Sequence, residues 1–205
     1  MRLKFKKTEI GGCYIIEPEI FGDNRGVLRR HFDSDTFKSH GIDGRVRQCN
    51  ISENSAKYTL RGFHYQAGRE ARTVSCVRGR IHDIVVDLRP KSKTFLRWSA
   101  FVLSDENRLS LHPPSGCANA FLTLEPNTIV HYYHSEKYSP KAEKGIRYND
   151  PLFKFVWPHK PEVMSEKDKS WPDFKAFSFS KRKSKSAKST KGVLFHREKK
   201  TGRSE

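Results

Sequence analysis

Apolar residues recur along this chain in short runs separated by polar turn residues, and few runs keep a helical period. The runs fall at residues 13–16, 27–32, 45–51, 60–65, 72–78, 81–88, 96–103, 108–112, 120–124 and 128–134. Val, Ile, Thr, Phe and Tyr are frequent in them, as pleated strands prefer. Asn24-Arg25-Gly26 reads as a turn before the second run, and residues 52–58 form a polar loop. Arg78-Gly79-Arg80, between two runs, predicts a tight hairpin with Gly79 at positive φ. Only residues 33–40 suggest a helix, of one or two turns, with Asp33 or Ser34 as N-cap. Many short strands and few helices predict an all-β sandwich or barrel. A barrel of this size leaves a mouth that holds one small ligand.

Composition changes the picture at the C-terminal end. The chain has 205 residues, enough for one domain with a core and a tail. Of the formal charge of +17, about +8 comes from residues 181–205, where ten Lys or Arg face two Glu. This Lys/Ser-rich stretch has too few apolar residues to offset its ordering entropy. The expected organisation is a folded domain over 1–175 and a disordered basic tail over 176–205. The tail suits contact with nucleic acid or an anionic surface, whereas basic residues within the folded part suit a diphosphate. The strands lack the repeated aromatic platforms of nucleic-acid binders, so nucleic acid is not the expected partner. Cys13, Cys49, Cys76 and Cys117 are widely spaced, with no CxxC pair, which argues for free thiols in a reducing compartment. The N-terminal segment has no apolar run of the signal-peptide kind, and no stretch is long and apolar enough to span a bilayer. A cytoplasmic protein is expected.

Four stretches carry candidate chemistry. In Leu60-Arg61-Gly62-Phe63-His64-Tyr65-Gln66, strand alternation puts Gly62, His64 and Gln66 on one face and Phe63 and Tyr65 on the other. Taken alone, His64 is more commonly a satisfied structural histidine than a cavity-facing base. In Ile129-Val130-His131-Tyr132-Tyr133-His134, alternation groups Tyr132 with His134. A cavity-facing Tyr is protonated at neutral pH and can act as a general acid, although a rim aromatic is commoner. The segment Pro113-Pro114-Ser115-Gly116-Cys117-Ala118-Asn119 offers only Asn119 where a late metal ligand would be wanted, and no HxH pair exists. Without three or four imidazole or carboxylate ligands, no metal is expected. In the polar loop Met164-Ser165-Glu166-Lys167-Asp168, an Asp brought beside His64 would fix its tautomer; alone, such an Asp is usually surface decoration.

Together these stretches resemble the dTDP-4-dehydrorhamnose 3,5-epimerase family, over roughly residues 10–174. The ordered motifs are Phe21-Gly22-Asp23-Asn24-Arg25-Gly26, Gln48-Cys49-Asn50, the residues from Leu60 through Gln66, Val77-Arg78-Gly79, Asp83-Ile84-Val85-Val86-Asp87-Leu88-Arg89, Tyr138-Ser139-Pro140, and Gly145-Ile146-Arg147-Tyr148-Asn149-Asp150.

The resemblance implies an all-β, cupin-type double-stranded β-helix (jelly roll) with short peripheral helices. It implies a homodimer that acts on a nucleotide-diphosphate-linked 4-keto-6-deoxyhexose without metal or organic cofactor, in deoxysugar and polysaccharide biosynthesis. His64 matches the family's base, Asp168 its paired carboxylate and Tyr132 its proton donor. Arg72 stands where the family has a Lys beside the keto oxygen. Arg61 and Gln48 match positions contacting the diphosphate and sugar, Asn50 belongs to the same binding motif as Gln48, and Tyr138 matches a second aromatic near the sugar. Arg25 resembles a residue contributed by a partner subunit. Asn119 departs from the family's His, and it joins the substrate-binding set with Arg72. An Asn cannot take a proton at neutral pH, and an Arg cannot release one. Both departures keep open a single-centre 3- or 5-epimerase, a ketoisomerase, or a non-catalytic sugar-nucleotide-binding cupin, beside the expected epimerase inverting C3 and/or C5.

Overall fold

The apolar runs pair into strands that switch repeatedly between two facing sheets. The computed structural model describes residues 1–66 and 70–175; the basic tail expected over 176–205 lies outside the described residues. The strands are β1 (Leu3–Lys7), β2 (Tyr14–Pro18), β3 (Ile20–Asp23), β4 (Gly26–Arg29), β5 (Gln48–Asn54), β6 (Leu60–Gln66), β7 (Arg72–Arg78), β8 (Arg80–Asp87), β9 (Trp98–Ser104), β10 (Ser110–His112), β11 (Cys117–Thr123), β12 (Thr128–His134) and β13 (Glu143–Gly145). Two short helices, α1 (Ser34–Ser39) and α2 (Glu166–Lys169), lie at the periphery.

One sheet has the order β1-β2-β10-β7-β12-β5, the other β13-β6-β11-β8-β9, and β3-β4 forms a separate ribbon. From β5 to β12 the chain visits the two sheets in the pattern of a jelly roll, the expected all-β, cupin-type architecture. This crossing overturns the hairpin expected at Gly79. Its φ is +77°, as a tight turn needs, but β7 and β8 lie in different sheets. Gly79 is therefore a corner between sheets, and a Cβ there would lie 2.7 Å from Thr128 Oγ1.

Alternation sorts each central strand between two cores. Ile81 and Val85 of β8, with Phe121 of β11, meet Val74, Leu111 and Val130 of the facing sheet. Ile84 and Val86 of β8, with Ala118 and Ala120 of β11, point outward, where Phe63, Phe153, Phe155 and Trp157 cover them. Burial on both faces explains the consecutive apolar residues Ile84, Val85 and Val86 of β8. Each fully buried side chain of this size contributes about 1.5–3 kcal/mol relative to exposure. Helix α1 places Phe37 against Leu3 and Ile16. Asp33, one of the two cap candidates in the sequence, caps it, its carboxylate accepting from Thr36 N–H. Among the described residues no helix is long and apolar enough to cross a membrane.

One irregularity shapes the cavity. In the β6–β11 pairing, His64 faces Asn119 and Arg61 faces Phe121, so β6 carries one extra residue. The bulge breaks the alternation expected for this strand: Arg61 and His64, three apart, both line the cavity. Gly62 makes the close approach possible. Its φ is +116°, and a Cβ would lie 2.7 Å from both Ala120 Cα and the Asn119 carbonyl oxygen. Gly62→Ala should therefore cost about 2 kcal/mol or more and lower the melting temperature by roughly 5 °C. An unchanged thermal melt would show that the strands part there at no cost.

Candidate active site

A cavity of about 890 Å³ opens between the sheets, within the range of small-ligand sites. Strands β5, β7 and β12 supply one wall, β6 and β11 the other, and α2 lies over β6. All the expected site residues except Arg25 face into it.

His64 Nε2 lies 2.6 Å from Asp168 Oδ1. The polar loop expected around Asp168 contains α2, whose N-cap Ser165 accepts from Asp168 N–H at 3.1 Å. The other Asp168 oxygen accepts from Gly62 N–H at 3.3 Å. Burial disfavours charge on Asp168, but hydrogen bonds from His64, Gly62 and Ser165 prevail and hold the carboxyl below its ordinary value. A charged Asp168 keeps one imidazole nitrogen occupied, so the other is the one available for proton exchange.

Tyr132 stands on β12, across the cavity from His64 on β6. Burial, then the nearby Asp83, push its phenol above its ordinary value, opposed by Arg61, Arg72 and Ser52. It therefore carries its proton at neutral pH. Tyr132 and His134 share a face, as alternation predicts, with ring centroids 5.8 Å apart. Arg61 donates from Nε to Asn54 Oδ1 at 2.7 Å.

Arg72 donates to Asn119 Oδ1 and to Glu70 Oε2, both at 3.1 Å. Asn119 in turn donates to Asp83 Oδ2 at 3.2 Å. At the rim, Gln48 donates to Asn50 Oδ1 at 3.1 Å, and Gln48 Oε1 accepts from Tyr138 N–H at 2.9 Å. Tyr138 Oη donates to Glu143 Oε2 at 2.6 Å, and Lys167 of α2 pairs with the same carboxylate.

Arg25 lies elsewhere, on the turn of the β3–β4 ribbon. Its side chain is 85% exposed and paired with Asp23. Sequence reasoning missed Glu70, Asp83, Glu143 and Lys167, which neighbour or line the site. Asp83 and Lys167 fall within stretches singled out in the sequence but were given no role there, and Glu70 precedes β7 in a segment without strand periodicity. His134 could have been found, since alternation already placed it beside Tyr132.

Glu70 and Asp83 are both buried, yet titrate in opposite directions. For Glu70, burial is outweighed by His134, Arg72 and Gln66, which bring its carboxyl down to about 2. Asp83 has only the Asn119 amide and Arg72 to oppose complete burial, which raises it to about 8. Its Oδ1 has no hydrogen-bond partner among the described residues.

A jelly roll with an imidazole–carboxylate pair and a phenol on opposite walls of one polar cavity defines a cupin-class acid–base enzyme. The model of the dTDP-4-dehydrorhamnose 3,5-epimerase family matches residues 7–176. The enzyme of that name from Methanothermobacter thermautotrophicus is 38% identical over 172 residues, covering 82% of this chain and 92% of its own. The Bacillus anthracis enzyme, solved with TDP and PPi bound, superposes with a TM-score of 0.81 at 32% identity, covering 84% of this chain and all of that one. The dTDP-6-deoxy-D-glucose-3,5-epimerase of Legionella pneumophila, in complex with dTDP-4-keto-L-rhamnose, gives 0.77 at 35% identity, covering 82% and 90%. The chain belongs to the dTDP-4-dehydrorhamnose 3,5-epimerase family.

Asp83 generates a pH prediction. Unfolded, its carboxyl ionises near 3.8; folded, it keeps its proton to about 8. The unfolded state alone sheds the proton across that window, so the Asp83 contribution to stability falls as pH rises from about 4 to about 8. Asp83→Asn should flatten that fall when urea unfolding is measured at pH 5 and pH 8. Parallel losses in the two proteins would show that Asp83 is ionised in the folded state.

Proposed function

We propose that this protein inverts C3 and C5 of a dTDP-linked 4-keto-6-deoxyhexose by proton transfer alone. The observation that carries the reading is the convergence of His64–Asp168, Tyr132 and Arg72 on one cavity. A C4 ketone acidifies the hydrogens on C3 and C5. His64 removes one as a proton, leaving an enolate whose negative oxygen is met by Arg72. A fixed positive charge is effective at this step because it needs no reorganisation. Tyr132, protonated and on the other wall, returns a proton to the opposite face of the carbon. Proton transfer between phenolate and imidazolium, through solvent, restores the starting state. Arg61 suits the diphosphate, since a guanidinium pairs with phosphate oxygens through parallel hydrogen bonds. Gln48, Asn50 and Tyr138 line the outer part of the cavity for the sugar and nucleotide, and Asn119 holds Arg72 at the inner end.

The reading includes a homodimer in the cytoplasm. The β3–β4 ribbon is outside both sheets and exposes Phe21, Val27 and Leu28, the last at 62%. Edge strand β5 exposes Ile51 at 64%. A second copy would cover this apolar surface and bring its Arg25 to a neighbouring cavity. All four cysteines are free, as in a reducing compartment.

Incubation with dTDP-4-keto-6-deoxyglucose in D₂O should yield a product inverted and deuterated at C3 and C5 by NMR. His64→Asn should lower kcat by about 10²–10⁴. A wild-type protein that folds but exchanges neither hydrogen would refute the reading. Leu28→Asp should shift the protein from dimer to monomer in sedimentation and reduce activity, because Arg25 then reaches no cavity. A variant that remains fully dimeric would rule out the ribbon as the interface.

A further inference from the structure

The mechanism leaves one ionised, buried carboxylate beside the cavity without a role. Glu70 is 5% exposed, and three donors converge on its two oxygens. His134 Nδ1 meets Oε1. Gln66 Nε2 and Arg72 Nη2 donate to Oε2, at 2.9 and 3.1 Å.

Each donor is fixed from behind. Gln66 Oε1 accepts from Ser139 N–H at 2.8 Å, which sets the amide so that its nitrogen faces Glu70. Gln48 Oε1 is likewise taken by a backbone N–H, that of Tyr138, so Gln48 donates to Asn50 Oδ1. Asn50 then presents its NH₂ to His134 Nε2 at 3.4 Å. His134 must accept there and carry its proton on Nδ1, toward Glu70. The Arg72 guanidinium is held at both ends, by Glu70 and by Asn119 Oδ1. A freely swinging arginine would have to be ordered during the reaction; this one is ordered beforehand.

We propose that Glu70 is a positioning residue for enolate formation: it aims Arg72 at the developing oxyanion and supplies its counter-charge in the empty site. The inference rests on the epimerase reading and deepens it, since Glu70 acts only through Arg72. It also links the rim residues Gln48 and Asn50, through His134, to the group at the inner end of the cavity.

A double-mutant cycle on kcat separates this role from simple charge balance. Glu70→Gln, Arg72→Gln and the double variant are assayed with dTDP-4-keto-6-deoxyglucose, with folding checked by thermal melt. Glu70→Gln should lower kcat roughly 10- to 100-fold, because it loosens an oxyanion donor rather than deleting it, and leave KM within about threefold. In the Arg72→Gln background the same change should cost less than about twofold. An equal cost in both backgrounds, or no cost in the wild type, overturns the proposal. If Glu70→Gln does not fold, Glu70→Asp decides: it keeps the charge but retracts the carboxylate by one methylene. Lower kcat at unchanged KM supports positioning, and wild-type kcat overturns it. An inactive wild type would instead overturn the epimerase reading itself.

Discussion

The contact between His64 and Asp168 is the constraint on which the rest of the site depends. The two residues are 104 positions apart in sequence, and several unrelated features of the fold exist to bring them together. The bulge in β6 turns His64 into the cavity alongside Arg61. Gly62 lets β6 and β11 approach closely, and its N–H holds the far oxygen of Asp168. Ser165 caps the one-turn helix that carries Asp168, and Lys167 of that helix pins it to Glu143 beside β6. Buried charge is costly unless it is paired and hydrogen-bonded. The donors around Asp168 meet that demand, and the result is an imidazole with one nitrogen committed to the carboxylate.

The same rule explains the contrast between the two other buried carboxyls. Glu70 receives three donors, two from groups able to bear positive charge, and stays ionised. Asp83 receives one amide and keeps its proton to about 8. Between them, Arg72 and Asn119 form a continuous bridge across the inner end of the cavity. Negative charge is thus kept where it orients a cation. It is removed where it would repel the enolate.

Much of the fold was legible in the sequence because two-residue alternation is strong where one or both faces are buried. Residues 72–78 were read to both ends of β7, and residue type narrowed the helix cap to Asp33 or Ser34, of which the structure uses Asp33. The misses have physical causes. β3 is exposed throughout, so burial imposes no pattern on it. β1 alternates Leu3 and Phe5 with lysines, and the basic residues masked its strand character. The Gly79 corner was taken for a hairpin because a turn residue reports local conformation, not which sheet the next strand joins. Within the site, His64, Asp168 and Tyr132 were legible through motifs. Glu70 and Asp83 were given no role, since His134, 64 positions from Glu70, and Asn119, 36 from Asp83, meet them only in the fold. The bulge in β6 was invisible because alternation assumes a regular ladder.

Base and acid on opposite walls should make separable contributions to turnover. Solvent-deuterium exchange catalysed by Tyr132→Phe tests this arrangement most directly. Without the phenol, His64 can still remove a proton and return a deuteron on its own face, so label should enter the sugar with its configuration retained. Inversion at the wild-type rate, or complete loss of exchange in a folded variant, would contradict the assignment of base and acid to opposite faces.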